Sequence, residues 1–159
     1  MLKELKQMTQ AISPLVSLYD RDYLLWAEDT VNKLRTRNFD QLDIENLIEE
    51  IEDLGRSQKR ELRSRLKTLL EHLLKRIYVD MPQEFNGWER TIRDQRTEIK
   101  FEIADSPSLK RFWNELFDLV WGAALENMRD EYQSKGFDFP DTWQFSRDMN
   151  ELLNTKFWE

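Results

Sequence analysis

Ile44-Glu45-Asn46-Leu47-Ile48-Glu49-Glu50-Ile51-Glu52-Asp53-Leu54-Gly55 opens the stretch that decides the fold. Its apolar positions, Ile44, Leu47, Ile48, Ile51 and Leu54, recur at the spacing of a single helix face. The same phase resumes at Leu62 and runs through Leu66, Leu69, Leu70, Leu73, Leu74 and Ile77, with Gln58 occupying the gap. Asp43 precedes the run as an N-cap. Because the phase survives Gly55, the pattern predicts one helix over about 44–78, roughly 50 Å long at a rise of about 1.5 Å per residue. A break at Gly55-Arg56-Ser57, with Ser57 as a fresh cap, is the alternative reading.

On the N-terminal side, Leu24, Ala27, Val31 and Leu34 mark a helix over about 21–37, with Asp20 as its N-cap and Thr36 to Phe39 as the turn. Before it, Leu2, Leu5 and Met8 make a weakly helical extension over 1–16 that ends at Ser13-Pro14. On the C-terminal side, Met81-Pro82 stops the long helix. Asn86-Gly87-Trp88-Glu89 has the cap residues for a helix over about 87–104. Ser106-Pro107 starts another over about 107–134, which Gly136 ends. An aromatic loop, Phe137 to Phe145, leads to a short helix capped by Ser146. Short connections make neighbours antiparallel. Residues 17–159 are therefore expected to form one all-α domain, an irregular helical bundle built on the helix at 44–78. Counting from the turn brings Trp26 level with Gly55 and brings His72 level with Ile92, Arg93 and Arg96.

Composition agrees with this class. The chain has 159 residues, 40% of them hydrophobic and 35% charged, with only four Gly and four Pro, so turns are few and elements long. There is no Cys, which excludes disulfides, thiolate nucleophiles and Cys-ligated metals. Charges interrupt every apolar window, so neither a signal peptide nor a spanning helix is predicted, and a cytoplasmic protein is expected. A net charge of −7 argues against nucleic acid and anionic membranes as partners. Neither a Gly-rich phosphate loop nor a His-rich metal motif is present, so no cofactor and no metal is expected.

Several runs together resemble a bacterial, mostly cyanobacterial, family called domain of unknown function 29. They are Tyr19-Asp20-Arg21-Asp22-Tyr23-Leu24-Leu25-Trp26, the run from Phe39 to Ser57 quoted in part above, and Leu69-Leu70-Glu71-His72-Leu73-Leu74-Lys75. Trp88 with Thr91-Ile92-Arg93-Asp94-Gln95-Arg96, and Ser106-Pro107-Ser108-Leu109, complete the pattern. The resemblance covers about residues 17–159. It implies an all-α fold and a cytoplasmic bacterial protein, and it supplies no activity or site residue.

Three constellations carry possible chemistry. Residues 40–53 hold seven carboxylates and no base, and residues 56–67 are basic apart from Glu61. Such a block complements the dipole of its own helix. Glu49 with Glu52, or Glu50 with Asp53, would also place two carboxylates one turn apart, as a hard cation requires. All-α nucleotide pyrophosphohydrolases use such a pair together with a second, for which Glu102 and Asp105 have the spacing. His72 is the only imidazole, and Arg65 lies two turns before it on the same face. An Arg and a His so spaced resemble the motif of certain all-helical bacterial ribonucleases, in which His acts as acid–base and Arg steadies the phosphate. Arg93 and Arg96 would add binding groups on the neighbouring helix. Finally, Phe117, Trp121 and Leu125 widen the apolar face of the helix at 107–134 beyond the stripe through Trp113, which predicts self-association there. The reading that follows is a non-enzymatic helical module that self-associates and binds a protein partner. The alternative is a phosphodiester hydrolase, either Arg–His ribonuclease-like or acidic and metal-dependent.

Overall fold

A computed structural model describes residues 16–159, and the extension expected over 1–16 lies, but for Val16, outside them. The described residues are helical with no strand: α1 Leu18–Arg21, α2 Tyr23–Arg35, α3 Ile44–Tyr78, α4 Pro82–Asp105, α5 Trp113–Tyr132 and α6 Met149–Asn154. They fall into two compact units, one ending at Leu54 and the other running from Gly55 to Glu159. Helix α3 is continuous through Gly55, with the bounds its apolar phase predicts.

In the first unit, the expected Asp20 cap is displaced. Ser17 caps α1, its hydroxyl accepting from the Asp20 amide at 3.2 Å. Asp22 then leaves the helical region and accepts from the Leu25 amide at 3.0 Å, which starts α2. Asp20 falls inside the first turn instead of ahead of it. After α2 the chain reverses through Arg37, in the left-handed region at φ 56°, and a 3-10 turn at Phe39–Gln41. Trp26 is buried, its ring 4.9 Å from that of Tyr19 and 5.7 Å from that of Tyr23. The tyrosine hydroxyls both donate to the Glu50 carboxylate, at 2.5 and 2.7 Å, and so hold α1 and α2 on the start of α3. These bonds to an anion disfavour the phenolates, and Tyr19 is pushed up to about 12. The expected seat for the Trp26 indole at Gly55 does not exist, because a Cβ built on Gly55 would meet nothing within 4 Å. The indole is occupied by the two tyrosines.

In the second unit, Leu62, Leu66, Leu69, Leu70, Leu73 and Leu74 of α3 are wholly buried. Ion pairs of 2.7 Å from Arg65 to Glu102 and from Arg76 to Glu89 fix α4 antiparallel to α3 in the expected register. Helix α4 begins earlier than predicted, at Pro82 instead of 87, because the proline that stops α3 is itself favoured at a first helical position. The predicted helix at 107–134 has a 3-10 first turn, Pro107–Phe112, then α5, and ends as expected at Gly136, φ 88°. Asp148, not Ser146, caps α6, accepting from the Asn150 and Glu151 amides.

The wide apolar face of the helix at 107–134 is covered from within the chain. Phe117 and Leu125 are buried, and the Trp121 ring lies parallel to that of Phe117, 6° between planes, and 5.9 Å from Trp143. The aromatic loop is fastened there by indole hydrogen bonds from Trp113 to the Arg147 carbonyl, 2.9 Å, and from Trp121 to the Asp141 carbonyl, 3.0 Å. Of the residues that suggested an oligomer face, Phe117 and Leu125 are thus internal, and Trp121 is half-buried under the aromatic loop.

Candidate functional site

The imidazole of His72 is half-buried, with Nδ1 2.8 Å from the Thr68 carbonyl oxygen. A carbonyl can only accept, so Nδ1 carries the hydrogen and Nε2 keeps its lone pair. Burial pushes its pKa below the usual histidine value, outweighing the bond to Thr68; the charges acting on it are Lys75, Glu71 and Glu131. Arg65 faces elsewhere. Its Nε donates to Glu102 at 2.7 Å, and Nη2 pairs with Glu61 at 2.7 Å and lies 3.8 Å from Glu98. Burial opposes its charge, but the Glu102 hydrogen bond and the three carboxylates prevail and raise its pKa. The polar partners of His72 and of Arg65 are therefore separate sets, and Arg65 already serves carboxylates where the ribonuclease reading asks it to serve a phosphate.

The acidic residues are likewise parted. Glu50 receives Tyr19 and Tyr23 in the first unit, where Glu49 and Asp53 also have interactions of their own. Glu102 belongs to the second unit, where one carboxylate oxygen takes Arg65 and the other, Oε2, is buried without a partner. Among the described residues no group of three His, Asp or Glu is placed to hold a metal ion.

Arg93 and Arg96 do come together, in a cleft of about 260 Å³ that α4 forms with the C-terminal segment. Lys100, Asn154, Lys156 and Trp158 also line it. Arg96 is only 8% exposed. Its Nε donates to the Leu152 carbonyl at 3.0 Å and its Nη2 to the Thr155 carbonyl, which satisfies the last turn of α6. The register with His72 named Arg93 and Arg96 but not their true neighbours. The spacing of Arg93, Arg96 and Lys100, one basic helix face, was the signal for Lys100; nothing local pointed to Lys156 or Trp158.

The first unit presents the other feature. Leu24, Leu25, Val31 and Leu34 on α2, and Ile44, Ile48, Ile51 and Leu54 on α3, are 41–68% exposed. Tyr23 and Phe39 are exposed beside them, and Trp26 and Thr30 are the buried residues of α2. Surface leucines scattered singly are ordinary, whereas here each arm of a helical hairpin carries several exposed apolar side chains.

Fold and candidate sites together define an all-α protein whose prominent features are surfaces and a basic cleft. No helix among the described residues is long and apolar enough to cross a membrane. The chain belongs to the family described as domain of unknown function DUF29, whose model matches residues 18–158. No curated protein and no solved structure matches it.

Proposed function

We propose that this protein is a non-enzymatic helical interaction module, and that its hairpin of α2 and the start of α3 binds a second copy of the same hairpin. The exposed apolar stripes of residues 24–34 and 44–54 carry this reading. Fully buried side chains of this kind contribute about 60–120 Å² of apolar area each. Half-exposed, those on two copies offer on the order of 1,000 Å² together, the size of a small specific interface. A two-fold pairing lets each patch meet its own copy reversed. Arg35 and Arg37 are exposed at the end of α2 and Glu45 is exposed on α3, so α2 of one copy against α3 of the other opposes these unlike charges, while the acidic run of residues 40–53 opposes the pairing and the apolar stripes must outweigh it. A protein partner with the same apolar, mixed-charge face would compete for this surface. A hydrolase finds less support, because Arg65 is held by carboxylates and the acidic residues are dispersed.

Sedimentation equilibrium over nanomolar to hundred-micromolar protein tests the reading. A concentration-dependent dimer is expected, and Leu24→Asp with Ile48→Asp should leave a helical monomer. A wild-type monomer at every concentration rejects self-association.

A further inference from the structure

We propose that the cleft between α4 and the C-terminal segment binds a small phosphate monoester. Arg96 lines this cleft. It is a buried cation whose two hydrogen-bond partners, the Leu152 and Thr155 carbonyls, are neutral. No carboxylate among the described residues forms an ion pair with it, and burial disfavours its charged form. Its remaining nitrogen, Nη1, has no partner among the described residues, in a side chain that lines the cleft. A buried charge is ordinarily paired, and Nη1 is not among the fully buried polar atoms, so an anion that enters the cleft can reach it.

The surroundings are built the same way. Arg93 and Lys100 stand one turn before and one turn after Arg96 on the same helix face. Arg93 is exposed and its side chain makes no hydrogen bond or ion pair among the described residues, and Lys100 is bonded to a neutral group, Asn154 Oδ1, at 2.6 Å. The carboxylate at the rim, Glu89, is taken by Arg76 at 2.7 Å. Three cations without a carboxylate partner thus converge on one small space in a chain whose net charge is −7. A phosphate dianion matches them better than a single carboxylate does, because it brings two charges and three acceptor oxygens to the guanidinium fork and its neighbours. Trp158 gives the cleft an apolar wall for the organic part of the ester. At about 260 Å³ the space lies just under the usual range for ligand pockets, which selects a compact molecule.

Isothermal titration at low salt with ribose 5-phosphate tests this, with ribose and citrate as comparators. Ribose 5-phosphate should bind, ribose should not, and citrate should bind more weakly. Arg93→Ala should weaken binding about tenfold or more, the loss expected of a charged hydrogen bond, at an unchanged melting temperature. Arg96→Lys keeps the charge but loses the fork, and should also weaken binding; its fold is checked by melting. No binding of ribose 5-phosphate at millimolar concentration overturns the proposal, as does affinity unchanged in Arg93→Ala or citrate binding as tightly. The site lies wholly in residues 89–158, so either result leaves the association of the hairpin untouched.

Discussion

Arg96 donates from Nε to the carbonyl oxygen of Leu152 at 3.0 Å, and this bond ties the middle of α4 to the last turn of α6. Truncating the side chain removes it together with the bond to Thr155, and leaves the carbonyl of the buried Leu152 without this partner. Arg96→Met should therefore cost about 1.5–3 kcal/mol in urea unfolding, the range for hydrogen bonds to charged groups. Arg93, three residues away and exposed, makes no such bond. Arg93→Met should stay within about 0.5 kcal/mol of wild type. Equal losses at the two positions would show that Arg96 does not clamp the C-terminal segment.

Gly55 lies inside a continuous α3 with open space where its Cβ would be. Gly55→Ala should accordingly stabilise the protein, by up to about 1 kcal/mol, through helix propensity alone. A higher urea midpoint at unchanged slope is the expected result. A destabilised variant would mean that α3 is broken or packed at Gly55.

Leu69 and Ile48 sit on the same helix and in the same apolar phase, yet the first is fully buried and the second 47% exposed. Leu69→Ala should cost about 2–5 kcal/mol. Ile48→Ala, measured at a concentration low enough to dissociate any dimer, should cost about 0.5 kcal/mol or less. Similar losses at both sites would place Ile48 in a core of the single chain.

That contrast shows how far the sequence could be read. The phase from Ile44 to Ile77 was enough for the bounds of α3, because helical spacing is a local property. It could not tell which half of the stripe the chain would cover, since Ile48 and Leu69 look alike until the partners of each are placed. The same limit misdirected the wide face around Phe117, which the aromatic loop fills from twenty or more residues away. The pairing of Trp26 with Gly55 failed because a simple count ignores the left-handed Arg37 and the 3-10 turn that follows it. The antiparallel register of α3 and α4 held, since the connection at Val79 to Met81 is too short to allow another. The basic cleft was half visible: Arg93, Arg96 and Lys100 share a helix face, but Lys156 and Trp158 reach it only through the fold of the tail.

His72 makes a prediction about pH. Burial lowers its folded pKa below the unfolded value near 6.5. The contribution to stability is then complete above that unfolded value and is lost as pH falls through the lower, folded one. Unfolding free energy should decline between about pH 6.5 and the folded pKa, and His72→Gln should remove that part of the decline. An identical pH profile in wild type and variant would show that another group is responsible.

The central claim is that copies of this chain meet through the hairpin and not through α5. Amide hydrogen exchange at two protein concentrations, one below and one above the association midpoint, reads this position by position. The amides of residues 23–35 and 44–54 should exchange more slowly at the higher concentration, while those of residues 113–132 remain as they were. Exchange in the hairpin that does not respond to concentration, or protection that appears in residues 113–132 instead, would contradict the account.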